Sequence, residues 1–189
     1  MLHRRPLVKQ LLANRPDNLL VVTGLGTSTW DVSSAGDDPR NFCFIGAMGQ
    51  AGPFALGLAM AQRDKRILLI TGEGELLMSL GVLATIANQA PHNLAIAVMD
   101  NEAYVETGGQ PTATSGPTDL EAVARGCGIS TTMTVTEESQ AGELGDFLMN
   151  AAGPAFACVK VHAESLPLAF PHSFDGAVAV NRFRDAATQ

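Results

Sequence analysis

Basic residues are scarce in this chain: 12 lysines and arginines stand against 19 aspartates and glutamates, a formal net charge of -7. With a pI near 4.9, that balance excludes a nucleic-acid backbone or an anionic membrane as the main partner, because both demand basic patches that displace counterions. Cysteine is rare as well. Cys43, Cys127 and Cys158 are odd in number, far apart and free of any CxxC spacing, which predicts reduced thiols and excludes a cysteine-held cluster within the chain. Cys127, between two glycines, is expected as a small buried residue at a helix end. No run approaches the ~20 continuous apolar residues of a membrane span. The opening MLHRRPLVKQLL has two arginines but neither a long apolar core nor a small-residue cleavage site, so a cytoplasmic location is expected. Internal repeats and low-complexity segments are also missing.

What is present is a packed chain of 189 residues, 46% hydrophobic and only 16% charged, with mean hydropathy +0.14. That length predicts one domain spanning residues 1–189. Its low charge leaves room for an uncovered apolar face, from which at least a dimer is expected. Short apolar runs alternate with helix-length segments, the pattern of parallel strands joined by crossover helices. LLVVTG, NFCFIG, RILLITG, LAIAVMD, ISTTMTV and PAFACVKVHA read as six strands. Several carry no polar face, as expected where helices cover both sides. Helices are predicted for PLVKQLLANR, TSTWDVSSA, GPFALGLAMAQ, residues 75–89, LEAVARGCG after a cap at Thr118 or Asp119, and TEESQAGELGDFLMNAA. The polar segment NEAYVETGGQPTATSGPTD is expected to lack regular structure. The tail from Glu164 gives no clear pattern. The fold class is therefore α/β: a three-layer α/β/α sandwich with a mainly parallel central sheet of about six strands.

In such sheets ligands bind beyond the carboxyl ends of the strands. Four polar or glycine-rich turns stand at those ends: TGLGTST, IGAMGQAG, TGEGE and MDNEAY. Between Ile67 and Ala124 the only basic residue is His92, yet Glu73, Glu75 and Asp100 gather there. Carboxylates without counter-charge predict a cation from outside. In TGEGE, Gly72 and Gly74 permit close approach of another group to the main chain, and the amides of the following turn can meet an anion. A phosphate there needs backbone amides plus a metal. Glu73 is the natural first ligand, and Asn101 at the neighbouring strand tip can reach the same ion, since adjacent strands lie about 4.8 Å apart. Oxygen ligands of this kind suit magnesium, so a cofactor carrying a diphosphate is expected. TGLGTS after LLVV falls short of a nicotinamide fingerprint, because Thr29 stands where its third glycine belongs.

GEG at 72–74 followed by DN at 100–101 resembles the GDG…NN metal and diphosphate motif of thiamine diphosphate enzymes. GAMGQAGPFALGLAMA is similar to their GxMG turn and following helix, and TGLGTSTW to their first diphosphate-contacting turn. LLMSLGVLATIANQAPHNLAIAVMDNEAYVETGGQPT looks like the corresponding stretch of sulfopyruvate and phosphonopyruvate decarboxylases. The resemblance covers roughly residues 1–165. It implies magnesium held by Glu73, the Asn101 side chain and the Ala103 carbonyl, with Gly26, Thr27, Ser28, Gly74 and Glu75 contacting the diphosphate through amides or hydroxyls. For the Glu75 side chain, a role at the helix N-terminus is expected. The Gly46 carbonyl would accept a hydrogen bond from the aminopyrimidine, Met48 would fill the angle between the two rings, and Tyr104 with the loop through Thr112 would close over substrate.

The sequence departs from the family at Glu73, where the family has aspartate, and at Asp100, where it has asparagine. The glutamate that activates the cofactor in this family belongs to a separate pyrimidine-binding domain. The resemblance therefore implies one subunit of a split 2-oxo acid decarboxylase, with no activating residue of its own and with the cofactor at the interface to a partner chain. Two other readings stand beside it: a thiamine subunit of a 2-oxoacid oxidoreductase, which ETGGQ also resembles, and a catalytically inactive cofactor-binding or regulatory protein. Among the histidines, His172 is the one whose tail position could bring it over a site.

Overall fold

A computed structural model describes residues Met1–Gln189. Six parallel strands form the central sheet: β1 (Leu19–Thr23), β2 (Asn41–Cys43), β3 (Arg66–Gly72), β4 (Leu94–Asp100), β7 (Thr131–Val135) and β8 (Ala155–Lys160), in the order β2-β1-β3-β4-β8-β7. Every residue of β1 and β4 is buried, which is why their sequences have no polar face.

Two cores explain that burial. On one face α1 (Arg4–Leu12), α2 (Thr27–Ser34) and α7 (Ala141–Asn150) press Leu7, Leu11, Val32 and Leu144 onto Leu68, Ile70 and Ala97. On the other, α3 (Ala51–Ala61), α5 (Val82–Gln89) and α6 (Leu120–Gly126) cover Leu69, Ile96 and Val98 with Ala55, Leu56, Leu83, Ile86 and Leu120. Asp119 caps α6 by accepting from the Ala122 amide. No helix is long and apolar enough to cross a membrane.

Three local expectations are corrected. Residues 75–89 do not form one helix: α4 (Glu73–Met78) ends at Ser79 and α5 restarts after Gly81. Serine and glycine are weak interior helix formers, so the direction changes there at low cost. The segment after Asn101 is not irregular throughout. β5 (Ala103–Tyr104) pairs antiparallel with β6 (Gln110–Pro111), and Gly108 and Gly109, with φ of 115° and 77°, supply the reversal that side-chain-bearing residues resist. The tail holds a helix, α8 (Gly176–Ala187), capped by Asp175. Its Phe183 packs edge-on against Phe42 at a centroid distance of 5.3 Å, so α8 joins the second core beside β2.

Chain order leaves β1 for β2 on one side and for β3 on the other. The sheet thus reverses between β1 and β3, and a crevice opens beyond their carboxyl ends.

Candidate cofactor site

The crevice is a cavity of about 280 Å³ at the mouths of β1, β3 and β4. Gly26, Thr27, Met48, Glu73, Gly74, Glu75, Asn101, Ala103 and Tyr104, all named by the sequence, line it. Gly26 has φ 77° and opens α2 with no side-chain cap, so the first amides of that helix stay available to an anion. Gly74 is demanded by packing, since a Cβ there would collide with the Tyr104 ring. Met48 is delivered by a bent turn in which Ala47, at φ 63°, holds a left-handed backbone. Two of the sequence-predicted residues do not line the cavity. Ser28 is buried in α2, and Gly46 is exposed on the turn after β2.

Glu73 and Asn101 meet. The Asn101 amide donates to Glu73 Oε2 at 3.4 Å, and Thr112 Oγ1 donates to Glu73 Oε1 at 3.1 Å. Asn101 Oδ1 accepts from the Ala103 amide at 2.9 Å, which orients the side chain and leaves one lone pair on that oxygen. Glu73 is 2% exposed and forms no ion pair with any lysine or arginine. Burial first, and then the charge of Asp100, push its carboxyl up to about 7. A buried carboxylate with two neutral donors and no cation is a donor a hard divalent ion can use. No group of three His, Cys, Asp or Glu side chains is placed to hold a metal ion by itself. The other ligands of such an ion must therefore be amide, carbonyl and cofactor oxygens, and the Glu73–Asn101–Ala103 set fits magnesium on that basis.

The picture of uncompensated acids needs a correction at Asp100. Lys160 Nζ donates to Asp100 Oδ2 at 2.7 Å and to Glu102 Oε1 at 3.0 Å. β8 lies beside β4 with Lys160 in register with Asp100, so a cation distant in sequence arrives through the sheet. Burial works against the Lys160 ammonium, but these hydrogen bonds outweigh it and its pKa rises. Asp100 Oδ1 accepts from Thr114 Oγ1 at 2.7 Å and from the Glu102 amide at 3.1 Å, so Asp100 caps a turn and faces away from the cleft's open side.

Glu75 does more than expected. Its carboxylate is buried, accepts from Thr71 Oγ1 at 2.6 Å and the Ala51 amide at 3.2 Å, and occupies the space that a Cβ on Gly24 would need. It stands in the first turn of α4, as expected, and also ties the turns after β1 and β2 to β3. Cys127 is half-exposed at the α6 C-cap, not buried, while burial and then Asp100 push the Cys158 thiol to about 12. His172 lies away from the cleft, 3.7 Å from Asp37 in a separate cavity between the tail and β2.

Sequence reasoning named the loop from Tyr104 through Thr112 as a whole but not the contacts of Glu106 and Thr112 within it, and it missed Trp30, Thr114 and Lys160 as individual residues of the site. Trp30 Nε1 donates to Glu106 Oε1 at 3.0 Å, and the Glu106 side chain covers Gly26, where an added Cβ would meet its Cγ at 3.0 Å and its carboxyl carbon at 3.3 Å. The loop from Tyr104 to Thr107 thus lies over both glycine turns. The aromatic and acidic residues flanking GGQ were the available signal.

A three-layer parallel sheet whose strand reversal carries two glycine turns, an uncapped helix start and a carboxylate–amide pair defines a protein that binds a phosphorylated cofactor. Residues 22–159 match the family described as thiamine pyrophosphate enzyme, C-terminal TPP binding domain, and the chain belongs to that family. Its relatives include the sulfopyruvate decarboxylase subunit beta of Methanocaldococcus jannaschii, 38% identical over 136 residues that cover 72% of this chain and 70% of that subunit. The phosphonopyruvate decarboxylase of Streptomyces viridochromogenes is 35% identical over 162 residues, covering 84% of this chain but 40% of the relative. Among solved structures, benzoylformate decarboxylase from Polynucleobacter necessarius superposes with a TM-score of 0.74 at 19% identity, over 88% of this chain and 34% of that one. This last likeness concerns the fold alone.

Proposed function

We propose that residues 1–189 act as one diphosphate-binding unit, the subunit of a split 2-oxo acid decarboxylase of the sulfopyruvate or phosphonopyruvate type. The observation that carries this reading is the meeting of Glu73 and Asn101 at adjacent strand tips, inside a cleft floored by Gly26 and Gly74. Glu73, the Asn101 side-chain oxygen and the Ala103 carbonyl hold magnesium. Backbone groups of Gly26, Thr27 and Gly74 would take the diphosphate and Met48 would support the cofactor's rings, while the Gly46 carbonyl, outside this cavity, would meet the pyrimidine on the side where a partner chain completes the site. Tyr104 and the following loop exclude water from the cleft. Bound thiamine diphosphate supplies the electron sink that accepts the electrons left behind when carbon dioxide departs from a 2-oxo acid.

The carboxylates at the cleft are already employed: Glu75 braces turns, Glu73 faces the ion, and Glu106 is tied to Trp30. The activating acid therefore comes from a pyrimidine-binding partner subunit, in a cytoplasmic hetero-oligomer. The relatives named as beta subunits support this division.

Trp30, the chain's single tryptophan, lines the cleft and reports occupancy by fluorescence. Thiamine diphosphate is expected to quench it only with magnesium present. Glu73→Ala is expected to weaken that response by about 100-fold, roughly 2.7 kcal/mol, with the far-ultraviolet dichroism unchanged. Quenching by cofactor that ignores magnesium overturns the metal assignment. Measurable turnover of sulfopyruvate by the purified chain alone overturns the split site.

A further inference from the structure

We infer that Lys160 is a positioning residue for Glu73, acting through Asp100 and two threonines; the inference rests on the proposed role of Glu73 in holding the ion. Two buried acids, Glu73 on the tip of β3 and Asp100 on the tip of β4, face the same small region. Left alone, they repel one another, and each loses hydration. Lys160 removes half of that problem from the far side, bonding Asp100 Oδ2 at 2.7 Å. The other oxygen of Asp100 accepts from Thr114 Oγ1 at 2.7 Å; Thr114 lies 3.0 Å from Thr112 Oγ1, and Thr112 donates to Glu73 Oε1 at 3.1 Å.

Glu73, Asp100, Thr112 and Thr114 are all 5% exposed or less, so water cannot readily replace a missing link. Each threonine spends its single hydroxyl proton on a carboxylate, so the step between them is packing together with the backbone of Glu102, whose amide donates to Asp100 Oδ1 at 3.1 Å and whose carbonyl accepts from the Thr112 amide at 3.0 Å; with Asp100 fixed by its cation, Thr114 and Thr112 are fixed in turn. One oxygen of Glu73 is then occupied on the buried side, and the other is directed to Asn101 and the cleft. Glutamate has one more rotatable bond than aspartate, and this chain of contacts removes the freedom that bond would add.

The test uses the full chain, thiamine diphosphate and Mg²⁺, with Trp30 fluorescence as the readout and urea midpoints measured in parallel. Lys160→Met is expected to raise the Mg²⁺ concentration for half-maximal quenching by about tenfold, in line with other residues that support metal ligands. Lys160→Arg is expected to stay within about threefold of the parent. Thr114→Val keeps the ion pair but removes one of the two donors that hold Asp100 Oδ1 beside Thr112, and a loss of about tenfold is expected there too. The double variant Asp100→Asn, Lys160→Met removes both charges and is expected to recover the parent value. If Lys160→Met does not fold, the Thr114→Val and double variants decide.

A Thr114→Val chain with parent-like Mg²⁺ response overturns the inference, as does a double variant as impaired as a bare loss of Lys160. Urea midpoints that fall while Mg²⁺ response stays constant reduce Lys160 to a structural ion pair and overturn it as well. A parent chain whose quenching ignores Mg²⁺ removes the proposed function, and this inference with it.

Discussion

Glu73 and Glu75 stand two residues apart at the start of α4 and are similarly buried, at 2% and 4% exposure, yet the two sides of the cleft that they serve differ. On the β1–β3 side, Glu75 is met by the Thr71 hydroxyl and by amides of Ala51, Leu25 and Gly49. That carboxylate is saturated, and the turns around it form a finished brace. On the β3–β4 side, Glu73 is met by the Thr112 hydroxyl at 3.1 Å, by its own amide, and by the Asn101 amide at a long 3.4 Å. A buried carboxylate short of donors is costly, and a fold retains it where a ligand completes it. Residue type and burial are nearly the same on both sides; the shorter and more numerous donors to Glu75 separate a structural acid from the one proposed to bind.

The sharpest way to break this comparison is to delete the brace. Glu75→Ala strands several buried donors at once, and a loss of about 4 kcal/mol of stability is expected, read from urea unfolding. A loss below about 1 kcal/mol would show that the saturated side carries no more structural weight than an ordinary surface position.

The next effect is pH dependence on the Glu73 side. An unfolded glutamate titrates near 4.3, whereas Glu73 in the fold titrates at about 7. Across that window the unfolded chain has released a proton that the folded chain keeps. The Glu73 contribution to stability is thus complete below about pH 4, falls as pH rises, and levels off above about 7. The metal-free parent should lose roughly 3 kcal/mol relative to Glu73→Gln across the window. Parallel pH profiles for the two chains would contradict the unfinished character of this side.

The smallest effect concerns Glu106, whose carboxyl lies over Gly26 where an incoming diphosphate needs room. Glu106→Gln keeps the size and an acceptor for Trp30 Nε1 while removing the charge. Thiamine diphosphate affinity is expected to improve about threefold, or roughly 0.6 kcal/mol. Weaker binding would make Glu106 a support for the closed loop instead of a competitor.

The strands were legible because burial on both faces leaves each as an unbroken apolar run, and LAIAVMD occupies Leu94–Asp100 residue for residue. The glycine turns and Glu73–Asn101 were legible because strand tips in a parallel sheet converge. Lys160 was not, because 60 residues separate it from Asp100 and only the pairing of β4 with β8 joins them. The bracing contacts of Glu75 were not legible for a related reason. Its partners are backbone amides, whose direction no residue type encodes. The hairpin around Gly108 and Gly109 was available, since paired glycines suit tight reversals, but the surrounding polar residues hid it. Asp175 before an apolar-spaced segment likewise marks the start of α8, whose destination beside Phe42 depends on tertiary packing alone.

Ala47, an alanine held at φ 63° immediately before Met48, carries a consequence of its own. A side chain in that region costs about 1 kcal/mol or more, so this exposed turn holds its shape against a local preference. Glycine at this position would relieve that cost and widen the range of backbone angles open to the residue that presents Met48 to the cleft. One methyl group thus narrows the shapes available to the turn that carries a flexible thioether.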